Sequence, residues 1–332
     1  MNNENPSTLS GGQIMTTDVW HPGEQQLQAS IGMQERLASV GQQVLRDYLT
    51  EQLRSFFPLL PFVVAAAADE DGWPWASLWQ GQPGFVSSPD PQQLHIAAVL
   101  SPDDPLAPWL DAGQGLGLLG IELGTRRRNR VNGVVQSYGP HRIELHVEQA
   151  FGNCPRFIQQ RLPLPPLPAA TSAQVEELPA LDAAARRLIS HADTFFVASH
   201  AGSGASREGH LQMDVSHRGG PPGFVRIKGD CLLIPDYAGN RYFNTLGNLL
   251  LQPRCGLLFI DFERGDLLHV QGEVEILLPD SASHRQRIAA LPGAERLWQL
   301  RVHRVLRRSR ALAQPWQLLA FSPASQAIAT GQ

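Results

Sequence analysis

Two textures of apolar spacing divide the chain. From about residue 24 to 57, apolar side chains recur at intervals of three and four, with Leu37, Val40, Val44, Leu45, Tyr48, Leu49 and Leu53 in series. That period predicts amphipathic helix in need of a partner surface. After Pro61 it gives way to short β-rich runs, FVVAAAA, WASLW, GFVSS, LHIAAVL, GLGLLGIEL, RVNGVV and RIELHVEQA, punctuated by Gly, Pro and Asp. Runs of that length and punctuation predict an antiparallel β domain. A proline-dense stretch, LPLPPLPAA from Leu162 to Ala170, is stiff and poor in backbone donors, which predicts a polyproline II linker. Beyond it β texture resumes at Thr194.

The β pattern repeats. Gly81-Gln-Pro-Gly-Phe-Val86 returns as Gly220-Pro-Pro-Gly-Phe-Val225, and an apolar strand follows each. Asp104-Pro-Leu and Asn244-Thr-Leu each open a short helical segment, and Gly117-Leu-Leu-Gly-Ile-Glu-Leu123 returns as Gly256-Leu-Leu-Phe-Ile-Asp-Phe262. Val131-Asn-Gly133 then matches Val270-Gln-Gly272 without a gap. This collinearity predicts two copies of one β domain packed as a pseudo-dimer. The expected divisions are a tail and helical segment over 1–57, a first copy over 58–161, a linker over 162–175 and a second copy over 176–332.

Composition narrows the class without naming a function. Of 332 residues, 42% are apolar and 17% charged, enough core material and too little charge for a disordered chain. The net charge of -4 excludes a nucleic-acid binder that relies on whole-protein electrostatics. Lys228 is the only lysine, so nearly all positive charge is guanidinium. Three cysteines, Cys154, Cys231 and Cys255, in no CxxC spacing predict reduced thiols, and a polar start without an apolar h-region predicts a cytoplasmic protein. The most apolar stretch, Phe56 to Ala68, is broken by Pro58 and Pro61 and falls short of the roughly 20 residues of a membrane span.

Polar chemistry concentrates in the second copy. Ser216, His217 and Arg218 with Gly219-Gly220 predict a loop whose donors hold an anion, since glycine lets backbone approach a ligand. Arg226 and Lys228 alternate, so both face one side of a strand and suggest a phosphate. Asn240, Arg241, Asn244, Thr245 and Asn248 fall where a turn enters a helix, with Asn244 and Asn248 on one face. The alternative is that Gly-rich polar loops merely join strands and that Asn satisfies turn backbone. The first copy lacks this set: Ala76-Ser77-Leu78-Trp79 aligns with Val215-Ser216-His217-Arg218. It has instead Arg126, Arg128 and Arg130, which on a strand would share a face and clamp a phosphate or carboxylate across the pseudo-dimer interface, or would form a solvated basic turn. His21-Pro-Gly-Glu24 offers an acid/base pair or an ordinary helix start, and Cys154 a nucleophile or a structural thiol. No histidine spacing supports a metal site.

These elements resemble, in their order, the pyridoxamine 5'-phosphate oxidase-like FMN-binding split-barrel family. The resemblance runs through Ser216-His217-Arg218, Gly220, Pro222 and Gly223, the strand with Arg226 and Lys228, Asn240-Arg241 before a helix, Pro253, GLLFIDF and HVQGEVEIL, and covers roughly residues 20 to 320. It implies a mainly β fold of two tandem Greek-key split β-barrels with an N-terminal helical segment, usually assembled as a homodimer. It also implies FMN in the groove between barrels, with phosphate held by Arg226, Lys228, Asn240, Arg241, Asn244 and Thr245, and with Ser216, His217 and Arg218 beside the ring or ribityl chain. Asn248, Arg126 and Arg128 complete the expected cofactor set, and His217 or Arg218 would stabilise reduced flavin or donate a proton near it. The spacing of Arg226 and Lys228 is tighter than the family's phosphate pair, and the residues that hold pyridoxal phosphate in the oxidase are not recognisable. The expected activity is therefore an FMN-dependent oxidoreductase acting on a small molecule with an electron donor or acceptor. The alternatives are a haem-binding or haem-degrading barrel and a non-catalytic partner-binding protein.

Overall fold

The structure, a computed structural model, describes residues 19–98, 100–166, 174–202 and 210–331. The expected lead-in before residue 19 and the centre of the proline-rich linker, 167–173, lie outside the described residues. The predicted N-terminal helical stretch is three helices, α1 (Pro22–Ser30), α2 (Gln34–Val44) and α3 (Glu51–Phe56). Gly32, with φ +67°, breaks the first from the second, and Thr50 caps the third by accepting from the Leu53 N–H.

The seven β-rich runs after Pro61 form β1 (Phe62–Ala68), β2 (Pro74–Gln80), β3 (Val86–Ser87), β4 (Gln93–Ile96), β5 (Gly115–Glu122), β6 (Arg127–Gly139) and β7 (Arg142–Gly152). They make one antiparallel sheet in the order β2-β1-β5-β6-β7-β4-β3. Next come β8 (Gln160–Pro163), β9 (Gln174–Leu178), α4 (Ala183–His191), β10 (Thr194–His200), β11 (Met213–Gly219), β12 (Arg226–Lys228) and β13 (Cys231–Tyr237). The chain continues through α5 (Asn244–Leu251), β14 (Arg254–Ile260), β15 (Leu267–Leu277), α6 (Ala282–Ala289), β16 (Ala294–Ser309), β17 (Trp316–Ala320) and α7 (Pro323–Thr330). The second sheet runs β11-β10-β14-β15-β16-β13-β12, the same order and sense as the first, with β9 added along β16. The molecule is thus mainly β, two split barrels flanked by short helices.

The first residues of the expected linker are not polyproline II: Leu162 and Pro163 belong to β8, which pairs with β17 near the C-terminus. Backbone partners supplied from more than 150 residues away are what a reading of local composition leaves out.

Each barrel has its own core, one around Trp75, Trp79 and Leu118, the other around Phe195, Phe259 and Trp298. A third apolar cluster joins them, with Phe62, Leu78 and Leu119 from the first sheet against Phe196, Val215 and Leu258 from the second. The barrels approach closely where side chains are absent. A Cβ on Gly117 would sit 3.1 Å from Asp214 Cα, and one on Gly256 would strike the Pro74 carbonyl. The first of these contacts sets β5 against β11 of the second barrel, with β6 paired beside β5, which brings the charged side chains of β6 to β11. No helix among the described residues is long and apolar enough to cross a membrane.

Candidate functional site

Ser216, His217 and Arg218 do not form a loop. They lie on β11, paired in register with Val197, Phe196 and Phe195 of β10. Gly219 also belongs to this strand: a Cβ there would strike the Phe157 carbonyl, so the glycine permits close packing instead of an anion-binding nest. A strand fixes alternate side chains on one face. Here Ser216 and Arg218 share a parity and His217 has the other, and all three line one cleft.

Opposite stands β6. Arg128 and Arg130 alternate on it, as their spacing requires, and both reach β11. Arg130, 4% exposed, pairs with Asp214 Oδ1 at 2.8 Å and donates to Ser216 Oγ at 2.5 Å and Asn244 Oδ1 at 3.0 Å, with its guanidinium over the Phe151 ring. Arg128 donates from Nη1 to the His217 carbonyl at 3.2 Å and lies 3.0 Å from His217 Nδ1. Its Nε is enclosed without a partner. No carboxylate pairs with Arg128 among the described residues. Burial and the neighbouring Arg130 push its guanidinium down to about 9. Arg126, by contrast, precedes β6 with φ +59° and donates to the carbonyls of Ile158, Ala320 and Phe321, so it braces the chain and does not enter the cleft.

The cleft encloses about 100 Å³ and spans about 860 Å³ out to its solvent mouth. Six arginines line it, Arg128, Arg130, Arg156, Arg218, Arg241 and Arg296, against two carboxylates, Asp236 and Glu295. Asp236 accepts from Arg218 at 2.9 Å and from Arg296 at 3.2 Å, while Glu295 pairs with Arg241 at 2.8 Å and Arg296 at 3.1 Å. Even with Asp214 behind the wall, the guanidinium groups outnumber carboxylates by three. Such an imbalance focuses a positive potential where water is partly excluded. Phe157 and Tyr237 stack with centroids 5.1 Å apart and give one flank an aromatic surface.

His217 is neutral. Burial, reinforced by Arg128, Arg161 and Arg218, holds its imidazole well below the ordinary 6.5. Arginine carries donors only, so the contact with Arg128 makes Nδ1 the acceptor and leaves the proton on Nε2. That Nε2–H is buried without a protein partner. It is a donor held for something else.

The turn before α5 supplies the rest. Asn240 Oδ1 accepts from the Tyr242 N–H, while Arg241 and Phe243 hold φ +64°. Asn244 bridges Arg130 and Glu24, and Thr245 donates to Ser216 Oγ at 2.9 Å. Asn248, four residues on, donates to Ser199 Oγ and faces a second cavity, outside the arginine cleft. Arg226 and Lys228 are exposed on β12 at the sheet edge and line neither cavity. Alternation placed them on one face correctly, but that face is solvent.

Arg156, Asp236, Tyr237, Glu295 and Arg296 belong to the cleft without having been singled out. Asp236 and Tyr237 directly precede the Asn240-Arg241 turn, whereas Glu295 and Arg296 open the arginine-rich β16 and carry no local signal. Cys154 lines the cleft wall next to Arg156 and Phe157. His21 and Glu24 lie elsewhere, as a capping box of α1: His21 Nδ1 accepts from the Gly23 N–H, and Glu24 Oε2 accepts from the His21 N–H at 3.0 Å.

No family model and no curated protein matches the chain. Solved structures similar to it include an FAD-binding protein from Mesorhizobium loti, 16% identical over 40% of this chain and 96% of that one, TM-score 0.29. An FMN-binding protein from Syntrophomonas wolfei is 12% identical over 37% and 86%, TM-score 0.25. HutZ, the haem storage protein from Vibrio cholerae, is 14% identical over 44% and 99%, TM-score 0.23. Each spans less than half of this chain and most of its own length. What the cleft binds is a matter for its own side chains.

Proposed function

We propose that the cleft between the barrels binds FMN and that the protein is an FMN-dependent oxidoreductase acting on a small organic molecule. The observation that carries this reading is the Arg128–His217 pair: a guanidinium with no carboxylate partner beside an imidazole whose Nε2–H has none either. Arg128 is half-buried with its Nε enclosed, and a partly desolvated cation without a counter-ion is costly unless an anion arrives to neutralise it. The enclosed part of the cleft has room for a phosphate-sized group, the open part for the remainder. Arg128, Arg156 and Arg241 supply guanidinium donors for a phosphate dianion, which arginine receives in bidentate fashion. Asn240 adds a neutral donor, and the Phe157–Tyr237 stack offers an apolar flank for a planar ring.

FMN, when bound, supplies hydride or single-electron transfer, the chemistry these side chains lack. The chain's part is to position it, exclude water and stabilise charge. With FMN bound, His217 Nε2–H would be available as a donor to it, and Arg218, tied to Asp236, would hold positive charge near it. The same tautomer argues against haem ligation through Nε2, because an iron ligand needs a lone pair where this nitrogen carries its proton.

The test is an absorption spectrum of freshly purified protein and mass identification of whatever heat releases. Two flavin bands with released FMN, or their appearance on adding FMN, are expected. A Soret band, or no uptake of FMN, would overturn the reading.

A further inference from the structure

The molecule holds a second and larger cavity, about 740 Å³, on the far side of the wall that Arg130, Asp214 and Asn244 build. Its lining comes from the N-terminal helices (Trp20, His21, Glu24, Asp47), from β6 and β7 (Asn132, His146, Glu148) and from β11 and α5 (Asp214, Asn248). The arginine cleft does not absorb it, and the shared wall residue is Asn244.

Its electrostatic character is the reverse of the cleft's. Glu24, Asp47, Glu148 and Asp214 line it, against Arg46 as the one guanidinium or ammonium group among the described lining residues. Arg46 points its Nη1 to Tyr48 Oη in an exposed position. Asp214 is already paired with Arg130, and Glu148 lies 3.1 Å from His210 Nε2, which leaves Glu24 and Asp47 with no arginine ion pair among the described residues. Asn132 strengthens the case independently. It is 3% exposed, its Nδ2 donates to Gln149 and Asp214, and its Oδ1 is buried with no partner. An orphaned acceptor beside carboxylates in a roomy cavity calls for a donor.

Glu24 is built in. Gly23 and Gly247 let α1 lie against α5 so closely that a Cβ on either would strike the other helix. Glu24 is thereby 4% exposed, with Oε1 accepting from Asn244 Nδ2 at 2.5 Å.

We propose that this cavity is a binding site for a small organic cation, an ammonium or amidinium compound whose donors meet Glu24, Asn132 and Glu148. The site stands whatever anion fills the arginine cleft. Glu24 is the counter-ion at its inner end. Burial pushes its carboxyl up to about 8, with Asn244, the His21 N–H and Arg130 favouring the charged form and Asp214 opposing it. His21, the titratable neighbour on its own turn, is pushed by burial down to about 4 and adds no charge. A bound cation therefore drives the Glu24 proton into solvent. Because Asn244 donates to Glu24 and accepts from Arg130, occupancy here is also felt at the arginine cleft.

Calorimetric titration of the full-length protein with benzamidinium tests this, with benzyl alcohol as the neutral probe of similar size. Benzamidinium is expected to bind at least tenfold tighter than benzyl alcohol. At pH 7, comparison of PIPES and Tris buffers should show close to one proton released per cation. Glu24→Gln and, at the more open wall, Glu148→Gln should each weaken benzamidinium about tenfold. Equal affinity for the two probes, no proton release, or unchanged binding in both variants would overturn the assignment. Should Glu24→Gln fail to fold, Glu148→Gln alone decides.

Discussion

The cleft on the second barrel has a counterpart on the first, and the two solve the same electrostatic problem in opposite ways. Ser77 on β2 occupies the place of Ser216 on β11, and Leu78 and Trp79 stand where His217 and Arg218 do. Around Ser77 the charges are internally closed: its Oγ donates to Asp104 Oδ2 at 2.6 Å, and Arg308 donates to the same oxygen at 3.2 Å. Arg308 and Asp104 are both buried, and so are Leu78 and Trp79, which belong to the inter-barrel cluster and the first barrel's core respectively. His269, buried and held by its surroundings down to about 3, lies 2.9 Å from the Ala76 carbonyl and carries no charge. Around Ser216 three arginines more than carboxylates converge, and Arg128 has no counter-ion. One strand framework therefore makes a sealed core on one side and an open cleft with an excess of guanidinium groups on the other. The difference lies in whether each buried guanidinium meets a carboxylate from its own chain.

The contrast breaks most visibly at its arginines. Arg308→Met should destabilise the protein by about 3–5 kcal/mol, because Asp104 is left buried and uncompensated. Urea unfolding at pH 7 checks this, and FMN affinity should be unchanged. Arg128→Met is the mirror case. It should weaken FMN by about a hundredfold, near 2.7 kcal/mol, while leaving the unliganded protein as stable as before or more so. Fluorescence titration and unfolding, run on the same preparation, separate the two effects.

A smaller effect concerns the side of α5 away from the cleft. Glu24, raised by burial to about 8 from 4.5, binds its proton more tightly folded than unfolded, so its contribution falls as pH rises between those values. His21, lowered to about 4, gives the opposite slope below 6.5, and so do the buried His217 and His269. Stability should consequently peak near pH 7 and fall by less than about 1 kcal/mol by pH 8. Glu24→Gln should abolish the fall, as read from unfolding midpoints across pH 6–8.5. His217→Phe removes one neutral donor from the cleft. It should cost FMN binding about tenfold, near 1.4 kcal/mol, with the fold intact by circular dichroism.

The architecture was largely legible in the sequence because strand burial is local. FVVAAAA, GLGLLGIEL and RIELHVEQA are continuous or alternating apolar runs, and they are β1, β5 and β7. The alternation of Arg128 and Arg130 likewise announced a shared face, and that face does cross to the other barrel. Reading failed where polarity was taken for exposure. Ser216-His217-Arg218 looked like a loop because a buried strand rarely carries such residues, and only the opposing β6 explains why this one does. Arg226 and Lys228 were assigned the phosphate from alternation alone, which says nothing of whether a face meets ligand or water. The pairs that define both sites, Arg130–Asp214, Arg308–Asp104 and Glu24–Asn244, join residues 84, 204 and 220 positions apart, beyond any local pattern.

The central claim is that one side of the molecule receives an anionic cofactor and the other has closed. Calorimetric titration of FMN into the protein measures this directly, as a stoichiometry, with Arg128→Met as the control. The account predicts one FMN per chain and its loss in the variant. Two FMN per chain, or one bound as tightly without Arg128, would contradict it.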